Sequence, residues 1–230
     1  MRALVLLLLL PGAAAAQMRH DVKWVRDSEE YAALARQVYR VAGRALPQAI
    51  PQGRSWAVVL DVDETALDNS IYELERAAYG IPFAAPSWDA WVRRRAAPAV
   101  PGAVEFVAEV RRLGGRIAWI TNRSDATREE TRQNLESTGL WAPNDVLCLA
   151  AADTSYTKRV RRAEVTSGRG RCAWNGEPQV IAAFVGDQTS DFPQAGEPDP
   201  DAGNDHAYGT RFFLLPNPMY GSWTTRVTRR

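Results

Sequence analysis

Histidine is nearly missing from this sequence: His20 and His206 are the only two in 230 residues. Lysine is as rare, with Lys23 and Lys158 alone among 28 basic residues, so positive charge rests almost wholly on arginine. Cysteine is limited to Cys148 and Cys172. These shortages count against whole classes of chemistry, since at most one of the two histidines lies within the body of the chain. Phosphatases with a histidine nucleophile, zinc hydrolases with several histidine ligands and Ser-His-Asp enzymes all need well-placed imidazoles. Two cysteines without histidines nearby also fall short of a zinc ligand set. Net charge is scarce too, formally +1, which gives no electrostatic reason to expect a nucleic-acid polymer as partner. What remains, 46% hydrophobic and 24% charged residues, describes a folded globular protein.

The N-terminus has the three-part pattern of a secretory signal peptide. Met1-Arg2 is a short positive start, and Ala3 to Leu10 is an unbroken apolar run. Pro11-Gly12 breaks the run, and Ala13 to Ala16 supplies the small residues a signal peptidase accepts. Residues 1–16 are therefore expected to be a signal peptide and residues 17–230 the exported domain, periplasmic or secreted. The apolar run is shorter than the roughly 20 residues a membrane span requires. No cysteine stands near the cleavage point to carry a lipid. In an oxidising compartment Cys148 and Cys172 could pair as one disulfide. The sequence leaves that pairing and a pair of free buried thiols equally open, and it leaves homo-oligomerisation open too.

Strand-like and helix-like segments alternate along the chain. Residues 24–46 carry apolar side chains at helical spacing, with Pro47 and Pro51 expected to end the helix. Continuous apolar runs at 56–60, 117–120, 146–149, 180–185 and 212–215 read as buried strands. Residues 103–113, the segment from Ser124 to Gly139, and 154–165 read as helices between them. This order predicts an α/β fold: a Rossmann-like parallel sheet with helices on both faces. Residues 66–100 are too long for a simple crossover and predict a small helical cap over the site.

Ligands of such sheets sit at the carboxyl ends of the strands. Asp61-Val62-Asp63 follows the first strand, Thr121-Asn122 the second, and Asp187 and Asp191 the fourth, with Lys158 at the start of a helical segment. A cluster of carboxylates at one sheet edge needs neutralising. A hard divalent cation with oxygen ligands does this, and Mg²⁺ suits carboxylates, waters and a phosphate together. A phosphoryl group would then meet the metal, the Lys158 ammonium and donors from Thr121 and Asn122. One carboxylate can attack phosphorus, and a second can serve as general acid and then base. A lysine in so arginine-rich a chain fits the need for a compact charge beside phosphate and metal.

These residues resemble the four motifs of the haloacid dehalogenase superfamily: Asp61 and Asp63 in the first, Thr121 in the second, Lys158 in the third, Asp187 and Asp191 in the fourth. More closely, DVDETALDNS at 61–70, VPGAVEF at 100–106, ITNRSDAT at 120–127, FVGDQTSDF at 184–192 and LLPNPMYGSW at 214–223 resemble the class C (four-aspartate) bacterial acid phosphatases, the lipoprotein e(P4)-like family. SEEYAALARQVY at 28–39 fits it as well. The resemblance covers nearly the whole exported chain, and the lipid-attachment cysteine is the one departure. It implies a haloacid dehalogenase-like fold and a Mg²⁺-dependent acid phosphatase acting on small phosphomonoesters, nucleoside 5′-monophosphates favoured. Asp61 would be the nucleophile and Asp63 the acid and base. Asp61, the Asp63 main-chain carbonyl, Asp187 and Asp191 would serve the metal. Thr121, Asn122 and Lys158 would bind the phosphoryl oxygens. Trp88 and Tyr220 would stack on the substrate's ring, with Tyr72 lining the same pocket. Two alternatives remain: a non-catalytic exported phospho-ligand-binding protein on the same scaffold, and a phosphotransferase.

Overall fold

The structure is a computed structural model in which residues 19–225 are described. The expected signal peptide, residues 1–16, lies outside the described residues. In chain order come α1 (His20–Asp27), α2 (Glu29–Ala49), β1 (Trp56–Leu60), α3 (Ser70–Ala78), α4 (Ala85–Arg94) and α5 (Ala103–Arg112). Then follow β2 (Arg116–Ser124), α6 (Arg128–Ser137), β3 (Val146–Ala150), α7 (Lys158–Ser167), β4 (Val180–Gly186) and β5 (Phe212–Leu214).

The five strands form one sheet in the order β3-β2-β1-β4-β5, with every pair parallel. Successive side chains on a strand point to opposite faces. Val58, Leu60, Ile117 and Trp119 therefore pack on one face with Leu46 of α2, Phe106 and Val107 of α5 and Leu135 of α6. Val59, Ala118 and Ile120 pack on the other with Val165 of α7, Phe192 and Phe212. All five residues of β1 are buried, the mark of a strand covered on both faces. The fold is the α/β parallel sheet with helices on both faces expected from the alternation of elements. Among the described residues no helix is long and apolar enough to cross a membrane.

Three local expectations are corrected. The helix expected over 24–46 is two helices, because Ser28 leaves helical geometry and its hydroxyl accepts from the Tyr31 amide as the cap of α2. Glu29 and Glu30 then complement the positive helix end. Pro47 does not end α2, which runs on to Ala49. In the last turn the proline costs the helix only its bond to the residue four earlier. Finally, α7 starts at Lys158, so residues 154–157 are non-helical and Lys158 occupies the first helical position.

Cys148 in the middle of β3 and Cys172 beyond α7 pair as a disulfide, with Cα atoms 5.5 Å apart. The 66–100 segment holds α3 and α4, and Trp91 of α4 is buried against the core.

Candidate active site

The site grows from the carboxyl ends of the three central strands. Since β1 lies between β2 and β4, the residues that leave them are neighbours in space. Asp61 follows β1, and its amide donates to the Val185 carbonyl of β4 at 3.0 Å. Asp187 follows β4 directly. Gly186 precedes it, and no Cβ could stand there, because Asp191 packs against that position.

Asp61, Asp187 and Asp191 are buried, and each offers a carboxylate oxygen within 4.8 Å of the others. Such a set could hold a metal ion. Lys158 supplies an internal cation. Its ammonium donates to Asp61 Oδ1 at 2.5 Å and to Asp191 Oδ1 at 2.6 Å. Asp191 Oδ2 accepts from the Gln188 amide at 2.9 Å, and Asp187 Oδ2 accepts from Asn217 Nδ2 at 2.8 Å. Burial raises the Asp61 carboxyl to about 7 against the pull of Lys158, with Asp191 and Asp63 adding to the rise. Burial likewise pushes Asp187 well above the ordinary carboxylate range, and Asp191 and Asp61 push it further.

Asp63 faces a different set of partners. Its Oδ1 accepts from Arg123 Nε at 2.8 Å and Asn69 Nδ2 at 2.9 Å, and Thr121 Oγ1 lies 3.4 Å from Oδ2. The two aspartates of the first motif thus have separate environments, one on a lysine within the acidic cluster, the other on an arginine beside the cap.

A cavity of about 440 Å³ opens over these groups. Asp61, Asp63, Asn122, Lys158 and Asp191 line its polar end, and Tyr72, Phe83, Trp88 and Tyr220 supply aromatic walls. Tyr72 and Trp88 meet edge to face at 5.1 Å. The expected site residues therefore converge on one cavity, except that Thr121 and Asp187 lie buried behind its wall.

The family model described as "HAD superfamily, subfamily IIIB (Acid phosphatase)" matches residues 7–223. The chain belongs to this family. Acid phosphatase 1 of Solanum lycopersicum is 31% identical over 168 residues, 70% of this chain and 57% of that protein. A stem 31 kDa glycoprotein of Glycine max is 27% identical over 168 residues, 70% of this chain and 58% of that protein. The chain thus spans a little under three fifths of these relatives' length. The class C acid phosphatase from Bacillus anthracis superimposes with a TM-score of 0.75 at 28% identity, over 91% of this chain and 87% of that one. The same enzyme's structure with tungstate bound gives 0.73 at 27% identity.

Several residues of this subfamily IIIB site escaped the sequence reading. Asn69 is its hub: its main-chain N–H donates to Glu64 Oε1 at 2.8 Å, and its Oδ1 accepts from Trp91 Nε1 at 2.8 Å and from Arg123 at 3.3 Å. Glu64 is buried with φ of 55°, a conformation uncommon outside glycine, and burial with Asp63 nearby pushes its carboxyl well up. Arg123 is fully buried, and Asn217 holds Asp187. Asn69, Glu64, Arg123 and Asn217 all lie inside the quoted motifs, which is the one signal that points to them.

Proposed function

We propose that this protein is an exported, Mg²⁺-dependent acid phosphatase that hydrolyses small phosphomonoesters, preferring nucleoside 5′-monophosphates, through an aspartyl-phosphate intermediate. One observation carries the reading: the bonded pair Asp61 and Lys158 lines a cavity that Tyr72, Phe83, Trp88 and Tyr220 line as well. The donor set fits the metal. Asp61, Asp187 and Asp191 present only hard oxygen atoms, all within 4.8 Å of one another, close enough to share one ion. Oδ1 of Asp63 is taken by Arg123 and Asn69, and in this reading Oδ2 carries the acid-base proton while the main-chain carbonyl serves the ion. When bound, Mg²⁺ would supply positive charge that offsets the carboxylates and draws the phosphoryl oxygens.

In this reading the Lys158 ammonium and the Asn122 amide bind the phosphoryl oxygens, with the Thr121 hydroxyl as a third donor. Asp61 attacks phosphorus as the bond to the leaving oxygen breaks. Asp63, held in place by Arg123 and Asn69, gives its proton to that leaving alkoxide. It then takes a proton from a water that attacks the aspartyl phosphate, which frees phosphate and restores Asp61. Trp88 and Tyr220 flank the substrate's ring, and the edge-to-face Tyr72 contact steadies Trp88. Export is supported by the pattern of residues 1–16 and by the Cys148–Cys172 disulfide.

The test is phosphate release from p-nitrophenyl phosphate and a panel of nucleotides, with and without Mg²⁺. The expected result is metal-dependent release between about pH 4.5 and 7, the range where carboxylate acid-base chemistry operates. Phosphate binding without turnover would instead indicate a binding protein. Transfer to an added nucleoside in place of water would indicate a phosphotransferase.

A further inference from the structure

The ladder between β2 and β3 breaks where the phosphoryl-binding residues stand. Ile120 pairs with Cys148, but the next pair is Ser124 with Ala150. Thr121, Asn122 and Arg123 therefore bulge opposite Leu149 alone, which lifts Asn122 away from β3 and onto the cavity wall. A bulge of that size needs other partners to fix it.

Arg161, in the first turn of α7, fills the gap. It is 1% exposed, and every nitrogen of its guanidinium is engaged. One terminal nitrogen donates to the carbonyls of Thr121 and Cys148, the latter at 3.1 Å. The other donates to Asn122 Oδ1 at 3.0 Å. Nε donates to the Thr157 carbonyl, 3.2 Å away and next to Lys158. The ring of Tyr156 lies 5.8 Å from the guanidinium, and its hydroxyl bonds Glu164 and contacts Cys172 of the disulfide.

We propose that Arg161 is a positioning residue for phosphoryl binding: by holding Asn122 Oδ1 and the Thr121 carbonyl it fixes the bulge and leaves the Asn122 NH₂ as the group that donates to the ligand. This inference rests on the phosphatase reading of the site. An amide free to rotate presents its acceptor half the time, and an acceptor repels an anion. A planar fork serves three acceptors on two strands at once, which a lysine ammonium cannot reproduce. The Tyr156 ring and the disulfide brace the fork from behind.

The test is a double-mutant cycle on the full chain, with inorganic phosphate as the probe. Its affinity is read as competitive inhibition of p-nitrophenyl phosphate hydrolysis and by calorimetry with Mg²⁺ present. Arg161→Lys should weaken phosphate binding about tenfold, the loss of one charge-assisted hydrogen bond. In an Asn122→Ala background the same substitution should change it less than about twofold. Equal losses in both backgrounds, or no loss in a folded Arg161→Lys protein, would overturn the proposal and leave Arg161 a purely structural residue. Where Arg161→Lys does not fold, Tyr156→Ala carries the same cycle. It removes the brace without stranding a buried charge, and is expected to cost about threefold only when Asn122 is present. If the wild-type protein neither binds phosphate nor turns over ester, the phosphatase reading itself fails and this inference falls with it.

Discussion

The Lys158 ammonium lies 2.5 Å from Asp61 Oδ1, although 97 residues separate the two in the chain. The contact defines the polar floor of the cavity. Three buried carboxylates would repel one another there, and Lys158 offsets part of their charge by bonding to both Asp61 and Asp191. Burial alone would lower the lysine's pKa, but the two carboxylates outweigh it and hold the ammonium charged. Removing one partner of a buried pair strands the other and costs about 3–5 kcal/mol. Lys158→Met should therefore lower the melting temperature of metal-free protein at pH 7. Added Mg²⁺ should restore much of the loss, as read by thermal denaturation. Activity should fall about 10²–10³-fold, since Mg²⁺ cannot replace the donor to the phosphoryl oxygen.

The same burial sets a pH dependence. Asp61 titrates near 7 in the folded metal-free protein and near 3.8 as an ordinary aspartate, and Asp187 is displaced the same way. Between those values the folded state binds more protons than the unfolded one, so these groups lose stability as pH rises from about 4 to 7. Urea unfolding with a chelator present should show that fall. Saturating Mg²⁺ should flatten or reverse it, because a bound cation favours the ionised carboxylates. A metal-free protein whose stability from these groups rises across the window would contradict the assignment.

Asn69 ties the loop after β1 to α4 and to Arg123. Asn69→Ala would strand Trp91 Nε1 and remove a bond to Asp63. The expected cost is about 2–3 kcal/mol, read as a lower urea midpoint with an unchanged slope. Turnover should fall as well, because Asp63 loses one of the donors that orient it.

The strands were legible because a strand covered on both faces shows as an apolar run, and the acidic residues were legible because they follow those runs directly. Lys158 stood out because lysine is so rare here. The break at Ser28 was not legible, since apolar spacing continues across it and the cap is a single hydroxyl. Asn69 and Arg161 were not legible for a different reason. Their roles come from partners far along the chain, such as Arg123 for Asn69 and Asn122 for Arg161, and no local spacing encodes such a contact. The bulge at Thr121–Arg123 exists only as a relation between two strands.

The aromatic walls make a claim about substrate. Trp88 lies edge to face with Tyr72, and its ring is 5.7 Å from the Arg123 guanidinium. Stacking on one base contributes about 1–3 kcal/mol in nucleic-acid binders. Trp88→Ala should raise KM for nucleoside 5′-monophosphates about tenfold, and KM for glycerol phosphate less than about threefold. Equal rises for both substrates, in steady-state assays, would assign Trp88 to packing of the cap alone.

The central claim is that Asp61 is phosphorylated during turnover. Acid quenching of the enzyme during hydrolysis of p-nitrophenyl phosphate, followed by mass spectrometry of its peptides, tests it most directly. The account predicts a phosphoryl adduct on the peptide that carries Asp61, present with Mg²⁺ and substrate, with neither adduct nor phosphate release in Asp61→Asn. Phosphate release by Asp61→Asn at the wild-type rate, or an adduct on any other residue, would contradict it.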